Sequence, residues 1–195
     1  MIRVIIGAIP AAIAMFLLGF ILYASGLQKI VTGSVEDAPA AAIQQSLMTH
    51  LPRTGTYVVP DASVSPDQAS QYSQGGIATI HYNTGRYATM SPASLVLGLL
   101  LDFIVALRIG AALIGIDRRV PDFGSRARVV VIVAVAASAY INLLGPIFYH
   151  YGWAHFIYRF LADALVLSAA GLIIAKWFLP HHSHSAAPAD APTAV

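Results

Sequence analysis

The chain contains no cysteine and little charge: Asp, Glu, Lys and Arg together make up 10% of its 195 residues. The lack of cysteine excludes disulfides, thiolate-bound metals and cysteine-based redox chemistry. The shortage of charge excludes an ordinary water-facing surface, for which about a quarter of the residues would be charged. Catalytic signatures are missing too. No phosphate-binding loop, dinucleotide fingerprint, Ser/His/Asp arrangement or zinc-protease helix occurs in the sequence, so nothing supports an enzyme. The apolar stretches offer no facing mid-span histidine pair for a haem, and no cofactor is expected.

What the chain has instead is apolar length. Hydrophobic residues make up 57% of it, and the mean hydropathy is +0.71. Four stretches, 2–23, 95–116, 129–148 and 156–179, are each long enough to cross about 30 Å of hydrocarbon as a helix. The expected fold is an all-α integral membrane protein. It is a four-transmembrane-helix bundle with a small α+β extracytoplasmic insert between helices 1 and 2. Residues 1–27 read as the first transmembrane helix. Its apolar run exceeds the roughly 7–15 residues of a cleaved signal, so it is expected to be an uncleaved signal anchor. Residues 28–94 read as an extracytoplasmic cap, 95–179 as helices 2–4, and 180–195 as a disordered cytoplasmic tail.

Orientation follows from the basic residues. Arg118, Arg119, Arg126 and Arg128 crowd the loop between the second and third apolar stretches, with Arg3 and Lys176 near the outer ends of the chain. The positive-inside rule places that loop and both termini in the cytoplasm of a bacterial inner membrane. Topology thus accounts for the net charge of +2 without nucleic acid, and membrane lipids are the expected surroundings.

Local signals fill in the elements. In the first stretch, Gly7/Ala11 and Ala8/Ala12 repeat at four-residue spacing, which lets another helix approach closely. The insert reads as a short helix within 34–51, a strand at 55–60, a helical turn capped by Ser65 with Pro66 at its first position, and a second strand at 77–83. Asn83-Thr84-Gly85 supplies a turn. Ser91-Pro92 opens the second span, and Gly145-Pro146 is expected to bend or end the third. A cap of this size is too small to stand alone, so a protein partner is expected for it.

The charges within the spans are the strongest functional pointer, because ionisable groups in hydrocarbon are costly. Asp102 and Arg108 fall in the second stretch, Arg159 and Asp163 in the fourth, and Asn142 in the third. Counted from the outer ends, Asp102, Asn142 and Asp163 come to a common depth of about 12 Å. Arg159 and Asp163, at i,i+4, are expected to pair, and Asp102 to reach Arg159 across the bundle. Arg108 would extend its stem toward the cytoplasm or bond Ser168 or backbone. Such a layer is either a relay for protons or ions, or a salt-bridge network that fixes helix rotation. Two acids matched by two bases favour the network, since a relay needs a carboxyl free to titrate.

His150 and His155 flank the outer turn Tyr-His-Tyr-Gly-Trp-Ala-His. Their spacing matches no ligand motif, so amphipathic interface roles are expected and no metal site. His181, His182 and His184 in the tail would bind a divalent metal only weakly. The leading expectation is a non-enzymatic accessory or assembly subunit whose cap binds another membrane or extracytoplasmic protein, or which self-associates. The alternative is a small oligomeric transporter or proton/ion-coupled permease using Asp102, Arg159 and Asp163. A third is a membrane-embedded cofactor or lipid-handling enzyme with His150 and His155 at its mouth.

Overall fold

A computed structural model describes residues 2–179. The tail and its three histidines lie outside the described residues. The described residues are mostly helical and form two compact units, one from residues 2–31 together with 92–179, the other Thr32–Ser91.

The first unit is built from four helices: α1 (Ile2–Gly19), α4 (Pro92–Ile116), α5 (Phe123–Tyr149) and α6 (Trp153–Trp177). All four are long and apolar enough to cross a membrane, α1 together with the turn that continues it to Ala24. The chain is therefore consistent with a multi-pass membrane protein. Inside a bilayer, backbone groups must be satisfied within the segment, and a helix does this by itself. Helix α1 packs against α4 and α6, and α5 packs against α6. The buried face of α1 is Val4, Gly7, Ala8, Ala11, Ala12 and Met15, the small-residue face read from the sequence. Small residues allow backbones to approach where hydrocarbon gives no hydrophobic drive between helices. A Cβ added at Gly110 would lie 2.5 Å from Val4 Cγ1, and one at Gly171 would lie 2.5 Å from Val130 Cγ1. These contacts set antiparallel registers of α1 on α4 and of α5 on α6.

The third span departs from expectation at both ends. Helix α5 begins at Phe123, because Asp122 caps it: its carboxylate accepts from Ser125 N (2.9 Å) and Ser125 Oγ (2.6 Å). These bonds hold the Asp122 carboxyl below the usual carboxylate range. The cap's contribution is thus present above the ordinary carboxylate pKa and fades as pH falls through the lowered one. At the other end Pro146 does not end the helix. It lies buried inside α5, which runs on to Tyr149, where His150 in the left-handed conformation (φ 57°) terminates it.

Arg126 also departs from expectation. It is completely buried in the first turn of α5, ion-paired with Asp117 at the end of α4, and its Nε donates to Val120 O at 2.9 Å. Its charge is neutralised within the protein, so the exposed basic character of this end rests on Arg118, Arg119 and Arg128.

The second unit holds α2 (Asp37–His50), β1 (Gly55–Val59), α3 (Pro66–Gln74) and β2 (Ala78–Tyr82). The strands pair antiparallel, Gly55 opposite Tyr82 and Val59 opposite Ala78. Ser65 caps α3 by accepting from Gln68 N, with Pro66 first in the helix as its fixed φ favours. No residue between Thr32 and Ser91 is buried. Local hydrogen bonds and one two-stranded ladder define this unit, which has no apolar core of its own.

Helix contacts this close give a test. Gly171→Ala forces a methyl against the stiff, branched Val130 and should destabilise by about 1–3 kcal/mol. Gly115→Ala, where nothing lies within 4 Å, should leave the unfolding temperature in detergent unchanged.

Candidate functional site

The end of α1 explains how the polar site is assembled. After Gly19 the helix widens into a π-helical turn, Phe20–Ala24, closed by Ser25 N donating to Phe20 O at 3.0 Å. A π turn inserts an extra residue and rotates the side chains beyond it, a geometry common at functional sites. The carbonyls left over at this helix end need donors, and three side chains supply them. Ser25 Oγ donates to Ile21 O, Tyr158 Oη to Leu22 O, and Gln28 Nε2 to Tyr23 O (2.9 Å). Tyr23 and Tyr158 meet edge to face, with centroids 6.4 Å apart. The Tyr158 bond and this ring contact pin the end of α1 to α6, while the Ser25 and Gln28 bonds are local.

The rotated Tyr23 points its hydroxyl at Asp163. Tyr23 Oη donates to Asp163 Oδ1 at 2.6 Å, and Asn142 Nδ2 donates to Asp163 Oδ2 at 2.9 Å. The same amide nitrogen donates to Ser138 O at 3.0 Å. Each carboxylate oxygen therefore has one neutral donor, from α1 and from α5 respectively. A carboxylate on one helix thus joins three.

This arrangement replaces the expected ion pairs. Arg159 makes no ion pair with Asp163, although the two are one turn apart. Asp163 faces inward, where Tyr23 and Asn142 fill its oxygens, while Arg159 is on the exposed side of α6. Arg159 lies beside Tyr23: the Tyr23 hydroxyl is 3.5 Å from its carbonyl oxygen, and the Arg159 side chain interacts with that same hydroxyl rather than with Asp163 itself.

Asp102 does not reach Arg159 either, and the register explains why. Gly110 packs on Val4, so Asp102, two turns earlier on antiparallel α4, comes level with about Ala12. Its backbone is some three turns of α1, about 16 Å, from that of Tyr23. The polar residues do not form one layer, because α6 begins well beyond the end of α1 and depths counted from helix ends are not comparable. Arg108 is exposed on α4, and no bond joins it to Ser168.

Asp102 and Asp163 are nonetheless brought to one place. Both line a cavity of about 420 Å³ between α1, α4, α5 and α6, together with Tyr23 and Ser138. The rest of the wall is aliphatic and aromatic, including Phe16 and Phe20, and among the described residues no Arg, Lys or His lines it. Among the described residues Asp102 has neither a hydrogen bond nor an ion pair. Ser138 is fully buried, and its Oγ has no hydrogen-bond partner. A mid-helix serine ordinarily bonds back to its own helix; this one does not.

The outer histidines stand apart. His150 is exposed at the end of α5. His155 sits in the first turn of α6 with its ring edge-on to Phe156 (5.2 Å). Tyr149, Tyr151 and Phe156 stack in sequence at 5.5 and 5.4 Å between centroids, so this turn is an aromatic plug. Among the described residues no three His, Cys, Asp or Glu side chains group as metal ligands do.

Sequence reasoning missed Tyr23 and Ser138 as site residues. The signal for Ser138 was present: it lies four residues before Asn142, on the same helix face. Tyr23 carried none, because its direction depends on the π turn.

Tyr23→Phe and Asn142→Leu each leave one Asp163 oxygen without a donor. Each should destabilise by about 1–3 kcal/mol, and the double variant should cost less than the sum, since both act on one carboxylate. Denaturant unfolding in detergent checks this.

No protein-family model, no characterised protein sequence and no solved structure matches the chain.

Proposed function

We propose that the protein is a small proton- or ion-coupled carrier of the bacterial inner membrane, working as an oligomer, with Asp102 and Asp163 as its exchanging groups. The observation that carries this reading is that two carboxylates line one cavity on whose wall, among the described residues, no cationic side chain lies. Charge balance supports a purely structural network only where acids and bases pair, and no ion pair joins Asp102 or Asp163 to Arg108 or Arg159. A half-buried carboxylate without a partner needs a proton or a cation, and Asp102 is in that position.

The two carboxylates divide the work. Asp163, held by Tyr23 and Asn142, has its geometry fixed by neutral donors and stands toward the end of the bundle where α1 gives way to the insert. Asp102 is deeper and unencumbered. Beyond it lies the apolar core that contains Val4, Leu113 and Ile174. Passage past that core requires helix movement or a second copy, which is why an oligomer is proposed. By the positive-inside rule, Arg118, Arg119 and Arg128 support a core end facing the cytoplasm and a cavity in the extracytoplasmic half.

A second reading keeps the accessory-subunit role. It is favoured by one observation: the Thr32–Ser91 unit has no buried residue and exposes Ile43, Met48, Val58 and Val64. A unit without a core gains most from a partner that covers such surface.

Proteoliposomes loaded with a pH-reporting dye separate the two. Under an imposed pH step and a potassium diffusion potential, the wild type should move protons well above protein-free vesicles. Asp102→Asn should bring the rate down at least tenfold while eluting as the same species in size-exclusion chromatography. Folded wild-type protein that moves protons no faster than empty vesicles overturns the carrier reading and leaves the accessory role.

A further inference from the structure

We infer that the cavity between α1, α4, α5 and α6 takes an organic monocation, an ammonium group carrying an apolar or aromatic body, with the positive centre at Asp102. The inference rests on the carrier reading and names the class of substrate for that same cavity. Four features of the wall lead to it.

Size comes first. A cavity of about 420 Å³ far exceeds the ~30 Å³ that one water occupies, and it falls within the range of small-molecule sites. A proton or a bare metal ion has no use for such a volume. The wall chemistry comes next. Phe16, Phe20 and Tyr23 offer aromatic surface and Met15 a polarisable thioether, and aromatic faces attract organic cations at close range. Calcium and magnesium would need six or more oxygen ligands, and among the described residues no group of three ligating side chains occurs.

The third feature is the division between the carboxylates. Asp163 already accepts from Tyr23 and Asn142, so Asp102 is the better counter-ion for an arriving charge. The fourth is Ser138 Oγ, fully buried, without a partner, on a residue that lines the cavity. Its oxygen lone pairs can face the positive centre, whether an N–H or an N-methyl group, at a point separate from the acids. A neutral ligand would leave Asp102 uncompensated, and an anion would meet two carboxylates with no basic side chain on the wall.

Binding and proton exchange are then linked. Where Asp102 holds its proton, an arriving cation displaces it: the O–H bond of the carboxyl breaks, the proton leaves to solvent, and the carboxylate retains the cation. The titratable groups on the wall are Tyr23 from α1, Asp102 from α4 and Asp163 from α6, while α5 contributes Ser138 and no titratable group. One proton out per cation in is the stoichiometry of an exchanger.

Calorimetry on the full-length protein in lipid nanodiscs tests this with benzyltrimethylammonium as the probe and neopentylbenzene as its uncharged isostere. Saturable binding of the cation is expected, weakened at least tenfold by Asp102→Asn and severalfold by Phe20→Ala, and unchanged by Arg108→Gln. The isostere should bind at least tenfold more weakly to the wild type, a comparison that needs no variant to fold. Equal binding of the isostere overturns the inference in favour of a plain apolar pocket. Saturable binding of sodium or magnesium with no binding of the organic cation overturns it in favour of a metal-ion site. If the organic cation fails to bind while proton movement in vesicles persists, this inference falls and the carrier reading stands; if both fail, the carrier reading falls with it.

Discussion

The carboxylate of Asp163 is the point on which the upper bundle depends. One oxygen is held by the Tyr23 hydroxyl and the other by the Asn142 amide, so α1, α5 and α6 share a single polar joint. Its donors are neutral, and this has two consequences. The joint fixes rotation of three helices without an internal cation. It also leaves the acidic character of the neighbouring cavity uncancelled. A salt bridge at the same place would have fixed rotation equally well and removed the chemistry.

The joint works because of backbone features around it. The π turn at Phe20–Ala24 aims Tyr23, and Ser25, Tyr158 and Gln28 satisfy the carbonyls at that helix end. Lower in the bundle, close packing at Gly110 and Gly171 holds the helices in register. At the other end the buried Arg126–Asp117 pair ties the start of α5 to the end of α4. Between the polar joint and the apolar core lies the cavity, with Asp102 near its inner limit.

Much of this architecture was legible in the sequence. Span lengths, the small-residue face of α1, the Ser65-Pro66 start of α3 and both strands follow from local rules that need no tertiary information. The site was legible only as a set of residue types. Asp102, Asn142 and Asp163 were recognisable as costly polar groups, but their mutual placement depends on register. Register is set by Gly–Val contacts between helices far apart in sequence, and counting depth from helix ends assumed ends that do not align. The inward turn of Arg126 escaped for the same reason. A basic residue in a short loop reads as exposed, and only packing reveals Asp117 beside it. Tyr23 was invisible because one inserted residue in a helical turn changes its direction.

The central claim is that, among the described residues, no cation pairs directly with either cavity acid, and Arg159→Gln tests it most directly. If Arg159 were the buried counter-ion, its loss would strand a carboxylate and cost about 3–5 kcal/mol. With Asp163 held by Tyr23 and Asn142, the substitution acts on an exposed side chain and should cost under about 1 kcal/mol. Denaturant unfolding of this variant in detergent, beside the wild type, supplies the number. A loss of several kcal/mol would contradict the account.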